Sequence, residues 1–240
     1  MKKILGIMMG LVWSQMAFAA PAIYFGETLG GGNNSRLVSF PEATAARNDF
    51  LSNLIAVGSE SFESFADNTR TPISLNFSGI DSAILSGAGR VVSTLPGMTN
   101  GLGRFATDGD KYWQANQGFK IDFDSPVSAF GFMGIDIGDH DGQVKLTLIT
   151  TGGSSEIITV NSIPDAPGGS VLFWGIIDNE NAFKSIIFEN TAAGTDTFGF
   201  DQMTIGTPVP EPEIYALLLA GLGLVSFITY RRKDTLAVAV

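Results

Sequence analysis

The stretch that decides the fold is Phe119-Lys120-Ile121-Asp122-Phe123, in which apolar and polar residues alternate strictly. A period of two indicates an antiparallel strand with one face in a core and the other toward solvent. The same alternation recurs at residues 73–77, 144–148 and 186–188. Turns containing Gly, Pro and Asp separate these segments, and regularly spaced short strands of this kind are typical of a sandwich or barrel.

Two further segments, residues 127–137 and 171–177, are apolar on both faces. This pattern predicts central strands that are covered on both sides. We therefore predict an all-β domain, an antiparallel jelly-roll-like β-sandwich, over residues 60–206.

Residues 20–59 are less regular and are predicted to form an N-terminal segment with one short helix. Pro41 suits the first helical turn. Ala46, Phe50 and Leu54 then follow at a spacing of four residues, which places them on one helix face. We expect the helix to extend to Ile55 and to stop by Gly58.

Composition excludes several classes of function. The chain has 240 residues, 45% of them hydrophobic and 16% charged, a formal net charge of −10, one His and no Cys. An acidic chain lacks the surplus of Lys and Arg that nucleic-acid binding requires. Disulfides, Cys-ligated metals, thiol nucleophiles and multi-His metal sites are likewise excluded.

Both ends of the chain carry export features. Residues 1–19 combine a basic start, a short apolar run and small residues before Ala20, which predicts a secretory signal peptide. Signal peptidase and the export machinery are therefore expected partners. At the other end, a linker of residues 207–213 contains Pro-Glu-Pro, and residues 214–230 are uncharged. This run is at the short limit for a transmembrane helix. The basic residues of the tail 231–240 predict that the tail is cytoplasmic and residues 20–213 are outside the inner membrane.

The order of these C-terminal features resembles the PEP-CTERM sorting signal. The matching residues are Pro210, Glu211, Pro212, Arg231, Arg232 and Lys233, with the apolar run between the two groups. The resemblance implies that an exosortase recognises and cuts the tail, and that the protein then reaches the cell surface or extracellular matrix. Residues 103–107, 119–124, 126–132, Asp136 and 198–206 resemble the exported domain of a group of such proteins, and the resemblance carries over no established enzymatic activity.

Two sets of carboxylates are candidate ligands of a structural calcium ion. Asp136, Asp139 and Asp141 lie within six positions, separated by Gly, and carboxylate oxygens suit Ca²⁺. The alternative is a solvated turn between strands, for which Asp and Gly are the expected residues. By analogy with carbohydrate-binding jelly rolls, Glu63 and Asp201 are predicted to share a second cation, and the alternative is that both face solvent.

Tyr112 and Trp113 are the candidate ligand-binding residues. They precede Gln114, Asn116 and Gln117, and aromatic rings among amides are what a sugar-binding platform requires. The alternative is an edge strand with Trp113 in the core.

Catalysis has little support in the sequence. The single His140 would have to serve any Ser–His–Asp triad, and no Gly-x-Ser-x-Gly motif is present.

Within residues 20–207, nine Lys and Arg against 21 Asp and Glu leave a net charge of −12, which should repel polyanions but not cations or neutral sugars. We therefore expect a non-catalytic, lectin-like surface or matrix protein associated with exopolysaccharide and biofilm. The alternative is a secreted hydrolase of that matrix, such as a two-carboxylate glycoside hydrolase.

Overall fold

A computed structural model describes residues 20–140, 142–191, 196–210 and 218–226. In these ranges the chain forms thirteen strands, the helix α1, which packs on the larger sheet, and a separate helical segment at residues 218–226. The elements are β1 (Ala22–Thr28), α1 (Pro41–Ser52), β2 (Leu54–Glu60), β3 (Ile73–Asn76), β4 (Ser82–Gly87), β5 (Arg90–Ser93), β6 (Lys111–Ala115), β7 (Phe119–Val127), β8 (Ala129–Ile135), β9 (Val144–Thr150), β10 (Ser155–Thr159), β11 (Val171–Ile177), β12 (Phe183–Asn190) and β13 (Phe198–Pro208).

The strands form two antiparallel sheets. The larger sheet has the order β1-β11-β8-β13-β6-β5, with β2 also paired to β13, and the smaller has the order β10-β9-β12-β7-β4-β3. A hydrophobic cluster rich in Phe and Trp fills the space between the two sheets. Within it, the rings of Phe119 and Phe188 stack with centroids 4.3 Å apart. The predicted antiparallel β-sandwich is thus confirmed.

The larger sheet is covered on its outer face as well. Helix α1 places Phe50 against Phe173 of β11, with ring centroids 5.4 Å apart. Phe105, Met133 and Ile135 complete a second hydrophobic cluster on this side. Strands β8 and β11 are consequently buried along their whole length, as their uninterrupted apolar sequences predict.

The N-terminal segment differs from the prediction. Strand β1 pairs with β11 and β2 pairs with β13, so the sandwich includes residues 22–28 and 54–60 and starts before the predicted residue 60. Helix α1 begins at Pro41 as predicted but ends at Ser52. Leu54 points into the second cluster from a strand rather than from the helix, since strand pairing with β13 takes over at this residue.

The C-terminal prediction is only partly covered by the described residues. Residues 218–226 are helical. Within the described ranges, no helix is both long enough and apolar enough to span a membrane. The predicted signal peptide, the ends of the predicted transmembrane run and the basic cluster lie outside those ranges, and the transmembrane helix stays a prediction.

Candidate functional site

An open polar cleft lies at the β5 edge of the larger sheet, next to the turns that follow β4 and β6. Its volume is about 490 Å³. The lining residues are Arg70, Thr71, Gly87, Ala88, Gly89, Arg90, Gln114, Ala115, Asn116, Gln117 and Thr197. Guanidinium groups, amides and backbone dominate this lining, and it contains no carboxylate.

Backbone forms one wall of the cleft because two glycines replace side chains there. Gly87 and Gly89 have φ angles of +100° and +137°, which L-residues with side chains rarely adopt. A Cβ atom on Gly89 would lie 2.4 Å from the Trp113 ring. The turn between β4 and β5 therefore packs directly against the indole of Trp113. Its glycines present backbone, not side chains, to the cleft.

Two arginines stand side by side in this cleft. Arg70 and Arg90 are partners in an isolated antiparallel bridge, and Arg90 is in turn the register partner of Gln114 on β6. Directly opposed residues on antiparallel chains project to the same face. The three side chains thus form a row across the edge of the sheet.

Gln114 connects the cleft to a buried ion pair. Its Oε1 accepts hydrogen bonds from Asn100 Nδ2 at 3.2 Å and Arg104 Nε at 3.4 Å. Arg104 Nη1 donates to Asp136 Oδ2 at 2.7 Å, and the two side chains are 7% and 1% exposed. Asp136 Oδ1 accepts from the Gly169 N–H at 2.9 Å. Burial raises the pKa of Asp136 to about 6, although the Gly169 N–H and the Arg104 charge act in the opposite direction.

The first predicted calcium set is not assembled as expected. Asp136 is committed to Arg104 and Gly169, and Asp141 lies outside the described residues. In the described part of the chain, no group of three or more metal-ligating residues is suitable for holding a metal ion. Two nearby carboxylates nevertheless keep a buried oxygen without a hydrogen-bond partner, Asp139 Oδ1 and Asp196 Oδ2. Burial and then repulsion by Asp139 raise the pKa of Asp196.

The second predicted calcium pair, Glu63 and Asp201, accepts hydrogen bonds from backbone amides of one turn, and a shared cation stays a prediction. Asp201 is completely buried, and its Oδ2 accepts from the Thr107 and Asp108 N–H groups at 2.7 and 2.9 Å. Glu63 Oε1 accepts from the Asp110 and Lys111 N–H groups at 2.9 and 2.6 Å. Both carboxylates hold the same turn through its amide donors, so these oxygens are occupied without a cation.

The sugar platform predicted at Tyr112 and Trp113 is wrong, and the alternative that places Trp113 in the core is confirmed. Both side chains are 0% exposed. Trp113 faces the space between the sheets and stacks on Phe62 at 6.1 Å, whereas Tyr112 points to the opposite face of β6 and lies beneath its covering loops. The two rings of β6 project to opposite faces of the strand, and both are buried. The exposed amides Asn116 and Gln117 lie in the turn that follows β6.

Sequence reasoning did not find the two arginines of the cleft. They are separated by two strands, and no local motif links them. The available signal is weak: Arg70 precedes Thr-Pro and Arg90 follows Gly-Ala-Gly, so each lies beside a turn. Only the pairing of the chain segments brings the charges together.

The C-terminal motif defines the class of protein. Residues 208–233 match the family model of the PEP-CTERM protein-sorting motif. The match begins at Pro208, where β13 closes the sandwich. The chain is therefore a β-sandwich domain followed by a PEP-CTERM sorting tail, as exosortase-dependent proteins carry. No curated protein matches the sequence.

Solved structures resemble the sandwich at low scores. The C-terminal family 22 carbohydrate-binding module of Clostridium thermocellum Xyn10B is 13% identical, with a TM-score of 0.38 over 62% of this chain and 92% of that one. The K2 cleaved adhesin domain of Lys-gingipain is 13% identical, with a TM-score of 0.41 over 63% and 98%. A family 11 carbohydrate-binding module from Clostridium thermocellum, in complex with a mixed-linked tetrasaccharide, is 9% identical, with a TM-score of 0.35 over 65% and 100%. Similarity at this level does not transfer a binding site to this chain.

Proposed function

We propose that the chain is an exported, exosortase-processed surface or extracellular-matrix protein whose sandwich binds polysaccharide without catalysis. The export machinery and an exosortase would act on its two ends, and exopolysaccharide of a biofilm would be its partner. The observation that carries the binding role is the open cleft lined by Arg70, Arg90, Gln114, Asn116 and Gln117.

The chemistry of the cleft suits sugar hydroxyls. Amide side chains both donate and accept hydrogen bonds, and guanidinium groups donate several in a fixed geometry. Asn116 and Gln117 are exposed on the turn after β6, so their polar atoms are accessible. The volume of about 490 Å³ is within the range of small-molecule sites, roughly 300–1,000 Å³.

The absence of carboxylates from the cleft lining supports a binding role over hydrolysis. Glycoside hydrolysis of the usual kind needs two carboxyl groups about 5–9.5 Å apart on either side of the scissile bond. The eleven lining residues include none. The most buried carboxylates of the described chain, those of Asp136 and Asp201, are not among the lining residues, and internal donors hold both.

Retention on polysaccharide tests this function. A fragment of residues 20–209 contains both sheets and both hydrophobic clusters, so it keeps the complete core. We expect it to be retarded in gels containing the extracellular polysaccharide of the producing strain. The double variant Asn116→Ala/Gln117→Ala should lose most of this retardation. Asn161→Ala, which removes an exposed amide outside the cleft, should not. Equal migration of the fragment with and without polysaccharide would overturn the proposal.

A further inference from the structure

We propose that Arg70 and Arg90 make the cleft specific for acidic polysaccharide, by binding the carboxylate of a uronic acid unit. This inference rests on the proposed function, because it assigns the substrate class of the same cleft. It also runs against the overall charge of the chain, which on its own predicts repulsion of polyanions.

The first support is the placement of the two charges. Arg70 and Arg90 are direct partners in an antiparallel bridge, a relationship that puts Cβ atoms about 4.5–5.5 Å apart. Like charges directly opposite each other destabilise a sheet. Their pairing therefore costs folding free energy, and an anion between the two guanidinium groups would offset that cost.

The second support is that the chain itself does not neutralise this pair. In the described ranges, neither guanidinium takes part in an ion pair with a carboxylate. Arg90 Nη1 donates to the neutral Asn68 Oδ1 at 3.1 Å. A nearby carboxylate, Asp67, accepts instead from Asn68 Nδ2 at 2.7 Å and from the Ser93 N–H at 2.9 Å. Asn68 thus orients Arg90 while leaving its charge unpaired.

Arg104 shows the contrast within the same region. It lies next to Gln114, as Arg90 does, but its charge is paired with Asp136 at 2.7 Å and removed from solvent. Arg70 is exposed and Arg90 is half-buried at the cleft. One arginine of this region is used inside the fold, and two are left available to a ligand.

The ligand chemistry follows from the groups present. A guanidinium fork binds a planar carboxylate through two parallel hydrogen bonds, which a neutral sugar lacks. The amides of Asn116 and Gln117 remain for hydroxyl groups of the same or the next sugar unit. A uronic acid unit carries both a carboxylate and hydroxyl groups, so both the guanidinium groups and the exposed amides of the lining have a partner.

The test uses the fragment 20–209 and two defined probes. Calorimetric titration with digalacturonate measures the site directly, and gel retardation compares polygalacturonate with a neutral glucan. Arg70→Gln/Arg90→Gln removes both charges, and Arg70→Lys/Arg90→Lys keeps them without the planar fork. Lys184→Gln removes an exposed charge from the other sheet and serves as the control. Melting curves confirm that each variant is folded.

We expect wild-type affinity for digalacturonate to fall about 10- to 100-fold in the glutamine variant, with a smaller loss in the lysine variant and none in Lys184→Gln. Affinity should also decrease with salt because the charges are accessible. Wild-type affinity in the glutamine variant, or wild-type binding of the neutral glucan but not of either uronate probe, would overturn the inference. The latter result would leave the proposed function standing. Binding of digalacturonate without retention of any polymer would instead overturn the proposed function alone.

Discussion

Arg104 and Asp136 form an ion pair of 2.7 Å that is almost entirely removed from solvent on the outer face of the larger sheet. Arg104 comes from the loop between β5 and β6, and Asp136 follows the end of β8. The same guanidinium group donates to the Thr197 carbonyl at 2.8 Å, and Asp136 accepts from Gly169. Four separate segments are thus joined at the end of the sandwich where the cleft lies.

Removing Arg104 should destabilise the protein strongly. Arg104→Met leaves the Asp136 carboxylate buried without its cation, and breaking a buried pair in this way costs about 3–5 kcal/mol. Arg104→Met/Asp136→Asn removes both charges and should cost clearly less than the sum of the two single changes. Urea unfolding of the four proteins gives the coupling free energy. Additive losses would show that the pair does not act as a unit.

Gly103→Ala should disrupt the same ion pair from the adjacent position. Gly103 has a φ of +87°, and a Cβ atom there would lie 2.2 Å from Asp136 Oδ1. Since Gly169 and Arg104 hold that carboxylate, it has little room to move, and the loss should exceed the roughly 1–2 kcal/mol of the backbone strain alone. Gly97→Ala is the matched control, because its φ is +77° and its Cβ would meet open space. Equal losses in the two variants would contradict this account.

The sequence predicted the parts of the fold that depend on local patterns. Alternation at residues 119–123 and uninterrupted apolar residues at 171–177 located a strand buried on one face and a strand buried on both faces, because the period of apolar residues reflects how many faces are buried. Strands β1 and β2 were missed because long-range pairing with β11 and β13 defines them, and neither has an alternating sequence of apolar and polar residues.

The candidate site was predicted less well for a related reason. Asp201 and Glu63 are predicted from the sequence to share a cation, but the sequence does not show that amide donors of one turn bind both carboxylates. The sequence allows Trp113 either on an exposed platform or in the core, and the stacking of Phe62 on its ring, which decides for the core, is visible only in three dimensions. The Arg70–Arg90 row depends entirely on which segments become neighbours.

Stability should decrease as the pH rises from about 4 to 7. Burial raises the pKa of Asp201 to about 7, although the donors around it limit the rise, whereas an Asp of the unfolded chain titrates near 3.9. In this window the folded protein retains a proton that the unfolded chain releases, so a higher pH favours unfolding. The melting temperature should therefore be higher at pH 5 than at pH 7.5.

Asp201→Asn should reduce this pH dependence while also lowering stability, because its amide group would face N–H donors. The comparison variant is Glu42→Gln. A hydrogen bond from Thr28 lowers the pKa of Glu42, so its contribution changes only at more acidic pH. An unchanged slope between pH 5 and 7.5 in Asp201→Asn would show that another group titrates there.

The calcium prediction at Asp136, Asp139 and Asp141 stays a prediction, and the structure adds a neighbouring carboxylate, so that Asp139 and Asp196 are the two to consider. Each has a buried carboxylate oxygen without a hydrogen-bond partner, and the two charges repel each other. A hard cation between them would satisfy both oxygens. We expect calcium to raise the melting temperature and EDTA to lower it, since a ligand at 100 times its Kd stabilises by about 2.7 kcal/mol. Asp196→Asn should abolish this response and, without calcium, should stabilise the fold by removing the repulsion. An identical melting temperature of the wild type in calcium and EDTA would eliminate the site.

The sorting tail gives a prediction that is independent of the cleft. The family match at residues 208–233 begins where β13 ends, so deletion of residues 210–240 leaves the sandwich strands intact. In its own host, the truncated protein should fold and be released to the periplasm or the medium instead of being processed to the surface. Fractionation and immunoblotting measure this, with Arg70→Gln/Arg90→Gln as a control that should be sorted normally. If the full-length protein stays uncleaved in the inner membrane, exosortase processing does not occur on this chain.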